Sequence, residues 1–178
     1  HISSSSLRSG MIAIIITNYS LDDGDKMRIL IIEDDPLVAL ALRLYLTELG
    51  HTVVSTAADT TRVLQLADDG IEADLALVDL HLARGACGIE AAVQLRYLSG
   101  IASVFLTSDA EGAHAARHAA IGCLIKPICP SRLAAALMAL DAFVQGQIPD
   151  HVPDGLEVFP AAMSAACSTP LYRDGQPN

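Results

Sequence analysis

The chain has 178 residues, 52% of them hydrophobic and only 4% aromatic, enough for one aliphatic core of Leu, Ile, Val and Ala with residues to spare for tails. Its formal charge of −10 and lack of a basic stripe argue against a nucleic-acid backbone as partner. The apolar run 12–16 is too short to span a bilayer, no signal-peptide pattern follows Arg8, and four scattered cysteines without C-x-x-C or zinc spacing fit a reducing compartment, so the protein is expected to be cytoplasmic with no membrane partner.

Residues 1–10 are Ser-rich and suggest an appended or flexible leader, and 12–17 could form a short strand. The N-terminal extension is taken as 1–26, and Met27 opens the strongly patterned region. From there, short apolar runs alternate with helical patterns. A first strand covers 28–32 and ends in three acids. A helix follows over 36–49, with Asp35 as N-cap, Pro36 as first residue and Gly50 as stop. A strand at 52–56 leads to a helix at 60–69, closed by Gly70. The third strand, 75–78, ends at Asp79, and its helix, 89–98, stops at Gly100. The fourth strand, 103–106, ends at Thr107 and leads into a short helix at 112–119. The fifth, 123–125, ends at Lys126-Pro127, and the last helix spans 130–144.

Five β-α units with continuously apolar strands predict an α/β fold: a doubly wound, five-stranded parallel sheet with helices on both faces. Residues 146–178, with five prolines and no sustained period, are expected to be an irregular tail outside the core.

Ligands in such sheets sit beyond the carboxyl ends of the strands. Those ends carry Glu33-Asp34-Asp35, Asp79, Thr107-Ser108 and Lys126-Pro127. Several carboxylates brought together call for a hard divalent cation, and Mg2+ suits a site of one or two carboxylates, waters and phosphate oxygens. An ionised carboxylate there can attack a phosphoryl donor. The transferred group needs its oxygens covered, by the metal, by the Lys126 ammonium, and by the Thr107 hydroxyl with nearby N–H groups.

Four segments then stand out together: Arg28-Ile-Leu-Ile-Ile-Glu-Asp-Asp35-Pro36, Leu77-Val-Asp79-Leu, Phe105-Leu-Thr107-Ser and Leu124-Ile-Lys126-Pro127. In this order, with Gly88-Ile-Glu-Ala-Ala-Val-Gln-Leu-Arg96 between them, the stretch 27–145 resembles the CheY-like receiver domains of bacterial two-component response regulators. The resemblance implies a flavodoxin-like strand order, 2-1-3-4-5. It implies Asp79 as phosphoacceptor, with Thr107 and Lys126 as the other catalytic residues. It implies Mg2+ held by Asp34 and Asp79, by Glu33 through a water, and by the backbone carbonyl of His81. Pro127 would follow a cis peptide bond. The donor would be a sensor histidine kinase or a histidine phosphotransfer protein.

The chain also departs from the family. Cys123 stands three residues before the lysine, where the family places Tyr or Phe, and only 19 residues separate Thr107 from Lys126, the shortening falling on the fourth helix. An unusual output face is expected. With no basic or domain-sized segment after 145, the chain reads as a stand-alone receiver acting by protein contact or phosphorelay. The first and fifth helices are apolar around most of their circumference, which predicts a partner or homodimer surface there; plain helix-forming Ala and Leu would look the same. His114 and His118 lie four apart on the predicted fourth helix, and without a third ligand they read as a solvated face. Cys123 reads as a buried thiol. A binding module that keeps the fold without phosphorylation is the alternative function; an aspartyl-phosphate hydrolase would want Asp where His81 stands.

Overall fold

The computed structural model describes residues 26–82, 87–145, 147, 149 and 151–159. The expectation of a strand at 12–17 and those for 1–10 lie outside them. The elements, in chain order, are β1 Arg28–Ile32, α1 Pro36–Glu48, β2 Thr52–Ala57, α2 Thr60–Asp68, β3 Leu75–Asp79, α3 Gly88–Ser99, β4 Ala102–Thr107, α4 Ala110–Ala115, β5 Gly122–Ile125, α5 Pro130–Val144 and β6 Leu156–Val158.

Local chemistry sets these boundaries. The Asp35 carboxylate accepts from the Leu37 and Val38 N–H groups, satisfying two of the orphan donors of α1, and Pro36 occupies a position whose N–H would have no partner. Asp59 and Asp109 cap α2 and α4 in the same way, through Arg62 N–H and Gly112 N–H. Gly100 ends α3 in the left-handed region at φ 68°.

The sheet order is β2-β1-β3-β4-β5-β6. The first five strands are parallel, in the expected order. The sixth is a correction: β6, from the segment expected to be irregular, pairs antiparallel with β5, Cys123 opposite Glu157. Three residues are too few for an alternating pattern to register in the sequence, and the surrounding prolines mask the run.

Both faces of the sheet are covered. Leu42 and Leu46 of α1 and Leu133, Ala136, Leu137 and Leu140 of α5 pack on one face, with Ile29, Ile31, Leu75 and Leu77. On the other, α2, α3 and α4 contribute Val63, Leu66, Ala91, Ala92, Leu95 and Ala113 against Leu30, Ile32, Val78 and Phe105. The first and fifth helices therefore share one layer. β3 is buried along its whole length, which explains its unbroken apolar run up to Asp79.

Candidate phosphoryl-acceptor site

The ends of four strands, β1, β3, β4 and β5, and their loops meet at one crevice around Asp79. Carboxylate oxygens of Glu33, Asp34 and Asp79 lie within 4.8 Å of one another. Lys126 Nζ donates to Asp79 Oδ2 at 2.6 Å and lies 3.6 Å from Glu33 Oε2. The other Asp79 oxygen accepts from His81 N–H at 3.0 Å. Lys126 is held by its own backbone, its N–H donating to the Thr107 carbonyl at 2.8 Å, and the Lys126-Pro127 peptide is cis, as expected.

Burial makes this cluster electrostatically tense. Glu33 and Asp79 are buried, and Asp34 is half-buried. Burial pushes the Glu33 carboxyl above its ordinary range, and the neighbouring Asp79 charge pushes the same way, against the Asp35 N–H and Lys126. Glu33 Oε2 is buried without a hydrogen-bond partner. Three carboxylates facing one ammonium, one oxygen left over, are a donor set suited to a hard cation with oxygen ligands. It is an acidic pocket of the kind in which receiver domains bind Mg2+.

Thr107 is buried at the end of β4, and its Oγ1 accepts from Asp109 N–H at 2.9 Å. Gly88, at the start of α3, fits only because it has no side chain: a Cβ there would overlap the Asp79 backbone carbonyl oxygen. The helix thus comes up against the end of β3.

The structure therefore brings Glu33, Asp34, Asp79, Thr107 and Lys126 to one crevice. His81 stands at its mouth, largely exposed, its Nε2 3.4 Å from Asp109 Oδ2. Sequence reasoning passed over Asp109, which reads locally as a helix cap; only its place two residues after Thr107 hints at the crevice. Two expectations for the histidines need correction. α4 ends at Ala115, so His118 is not on it, and His114 is not merely solvated: its Nδ1 pairs with Glu157 Oε1 of β6 at 2.9 Å. Beside the crevice, α1 and α2 frame a groove of ≈ 450 Å³ lined by Glu33, Asp34, Leu40, Arg43, Asp59 and Arg62.

The family model for the response regulator receiver domain matches residues 29–138, and the chain belongs to that family. It is 35% identical over 83 residues to the phyllosphere-induced regulator PhyR of Methylorubrum extorquens, the match covering 47% of this chain and 31% of that protein, so the chain spans only about a third of that relative's length. The receiver domain of PhyR from Erythrobacter litoralis superposes with a TM-score of 0.59 at 26% identity, over 71% of this chain and 97% of that one. The receiver domain of a modulated diguanylate cyclase from Desulfovibrio desulfuricans G20 is 32% identical, TM-score 0.55, over 61% of this chain and 87% of that one.

Proposed function

We propose that this chain is a phosphoryl-accepting switch, in which Asp79 takes a phosphoryl group from a phosphohistidine on a sensor histidine kinase or a histidine phosphotransfer protein. The observation that carries this reading is the Asp79 carboxylate at the end of β3, bonded to Lys126 at 2.6 Å and grouped with Glu33 and Asp34. An Asp79 oxygen attacks phosphorus, the P–N bond of the donor breaks, and the imidazole leaves with a proton. Lys126 then transfers its charge from the carboxylate to a phosphoryl oxygen, and the Thr107 hydroxyl gives up Asp109 N–H to reach another. Asp34, Asp79, the His81 carbonyl and, through a water, Glu33 would hold Mg2+, which supplies charge neutralisation for the phosphoryl oxygens.

The receiver is taken as 27–145, preceded by the extension 1–26 and followed by the segment 146–178, of which β6 joins the sheet. We place it in the cytoplasm on the strength of its scattered cysteines, which fit a reducing compartment. Output is by protein contact or phosphorelay, with a homodimer through α1 and α5 as one form of contact. Leu37, Leu40 and Leu44 line an exposed stripe of α1, 75%, 51% and 55% accessible, and Met138 of α5 is 54% accessible.

The test is intact mass after acetyl phosphate and Mg2+. Wild type should gain one phosphoryl group and Asp79→Asn none. Absence of an adduct in wild type, repeated with a phosphotransfer donor, together with no Mg2+ binding, would favour the second reading: a module that binds partners without phosphorylation. The six-residue α4 and Cys123 in place of an aromatic are the observations on its side.

A further inference from the structure

The strand β6 and Phe159 after it occupy a place that the rest of the fold has prepared. Gly122 of β5 lies opposite Val158, and a Cβ on it would overlap the Glu157 carbonyl oxygen. The β5 edge is bonded at both ends, Ile125 N–H to the Gly155 carbonyl at 2.9 Å and Phe159 N–H to the Ile121 carbonyl at 2.7 Å. The Phe159 ring is 3% exposed and enters the core layer of Phe105, Ala113, Ala116, Ala119 and Cys123. The three alanines and Cys123 are small, and beside Phe105 they leave the volume that one large ring fills. The aromatic missing from β5 is thus replaced by one that arrives from the C-terminal segment.

This segment is also wired to the acceptor site. Thr107 Oγ1 accepts from Asp109 N–H at 2.9 Å, and the Asp109 carboxylate caps α4 at Gly112 N–H, 2.8 Å. α4 carries His114, whose Nδ1 meets Glu157 Oε1 at 2.9 Å and whose ring stands edge-on to Phe159, centroids 6.2 Å apart. A Thr107 hydroxyl that turns toward a phosphoryl group releases Asp109 N–H, and with it the start of a six-residue helix that holds β6 down.

We propose that residues 155–159 form a displaceable latch on β5, released by loading of Asp79, and that the vacated edge takes an extended segment of a partner protein bearing an aromatic at the place of Phe159. The proposal rests on the phosphoryl-acceptor reading of Asp79. Three residues of strand and two buried side chains, Leu156 and Phe159, make a unit small enough to open locally while the parallel sheet stays intact. Main-chain bonding along β5 and a pocket for one ring are what strand addition by a peptide requires.

The experiment loads the full chain with beryllofluoride and Mg2+, reads loading by the bound fluorine resonance, and follows amide exchange in the same sample. Loaded wild type should exchange about tenfold or more faster at Phe159 and Ile125 than unloaded chain, with the β1 and β3 amides unchanged. A fluorescent peptide with the sequence of residues 153–160 should bind loaded wild type about tenfold tighter than unloaded wild type or Asp79→Asn. Glu157→Gln, which keeps the fold's apolar anchors, should bind the peptide more tightly than wild type without loading. A fluorine signal with exchange and peptide affinity unchanged would overturn the latch and leave the acceptor site standing. No fluorine signal in wild type would overturn the acceptor reading and the latch with it.

Discussion

At the scale of single residues, the crevice is a problem of charge placement. Lys126 Nζ meets the Asp79 carboxylate at 2.6 Å, and buried Glu33 is the group driven toward its protonated form, first by burial and then by the neighbouring Asp79 charge. The thiols show how burial decides reactivity. Cys123 is fully buried, and its thiol is pushed up to about 11, first by burial and then by the Glu157 charge. Cys129 is exposed, and its hydrogen bond with Ser131 holds its thiol below the ordinary range. Iodoacetamide near pH 8 should therefore modify Cys129 well before Cys123, as peptide mapping would show. The sign for stability follows from the proton count: between about 9 and about 11 the unfolded thiol of Cys123 is ionised while the folded one keeps its proton, so stability falls as pH rises through that window. Cys123→Ala should flatten that part of a stability-against-pH profile; an unchanged slope would assign it to other groups.

The site residues were legible because each stands at the end of an apolar run, where a parallel sheet delivers side chains to one crevice. Glu33, Asp34, Asp79, Thr107 and Lys126 needed only that topology. The His81–Asp109 and His114–Glu157 pairs were not legible, since each joins loops or a loop and a late strand whose approach depends on tertiary packing.

At the scale of elements, capping and glycine placement made most boundaries readable. Asp35-Pro36 fixed the start of α1 and Cys129-Pro130 that of α5. α4 was harder: its alanine-rich run after 115 looks helical by propensity, yet the chain leaves the helix at Ala116 to bring Ala119 and Ala120 into the core. β6 was not readable, because its place depends on the notch at Gly122 rather than on its own pattern. The contact between α3 and the end of β3 gives a test of how tightly an element positions the crevice. Gly88→Ala should push α3 away from the Asp79 carbonyl, costing about 1–3 kcal/mol in denaturant unfolding and slowing acetyl phosphate labelling of Asp79. Stability within experimental error of wild type would mean that α3 shifts at little cost to take the added methyl group.

At the scale of the whole molecule, the helices on both faces of the sheet leave apolar side chains uncovered, Tyr97 and Leu98 of α3 on one and the leucines of α1 on the other. α1 presents Leu37, Leu40 and Leu44 on its outer side while Leu42 and Leu46 hold it to the core. Replacing the three outer leucines by Gln should change stability by less than about 0.5 kcal/mol per site. If this face joins two copies, light scattering should show a concentration-dependent dimer for wild type and a monomer for the triple variant. A wild type that stays monomeric at high concentration would leave these leucines as a surface for another protein or as plain helix formers.

The docked β6 has a further consequence for how the molecule behaves in a crowded solution. Without it, β5 would be an open sheet margin with unpaired N–H and C=O groups, a template on which another chain could grow. With it, the margin becomes a three-residue strand preceded by Pro153 and followed in sequence by Pro160, residues that cannot donate to a growing ladder. A chain whose β6 comes undone is therefore a chain at risk of self-association and precipitation, and its solubility at high concentration depends on that strand being either back in place or replaced by a partner's.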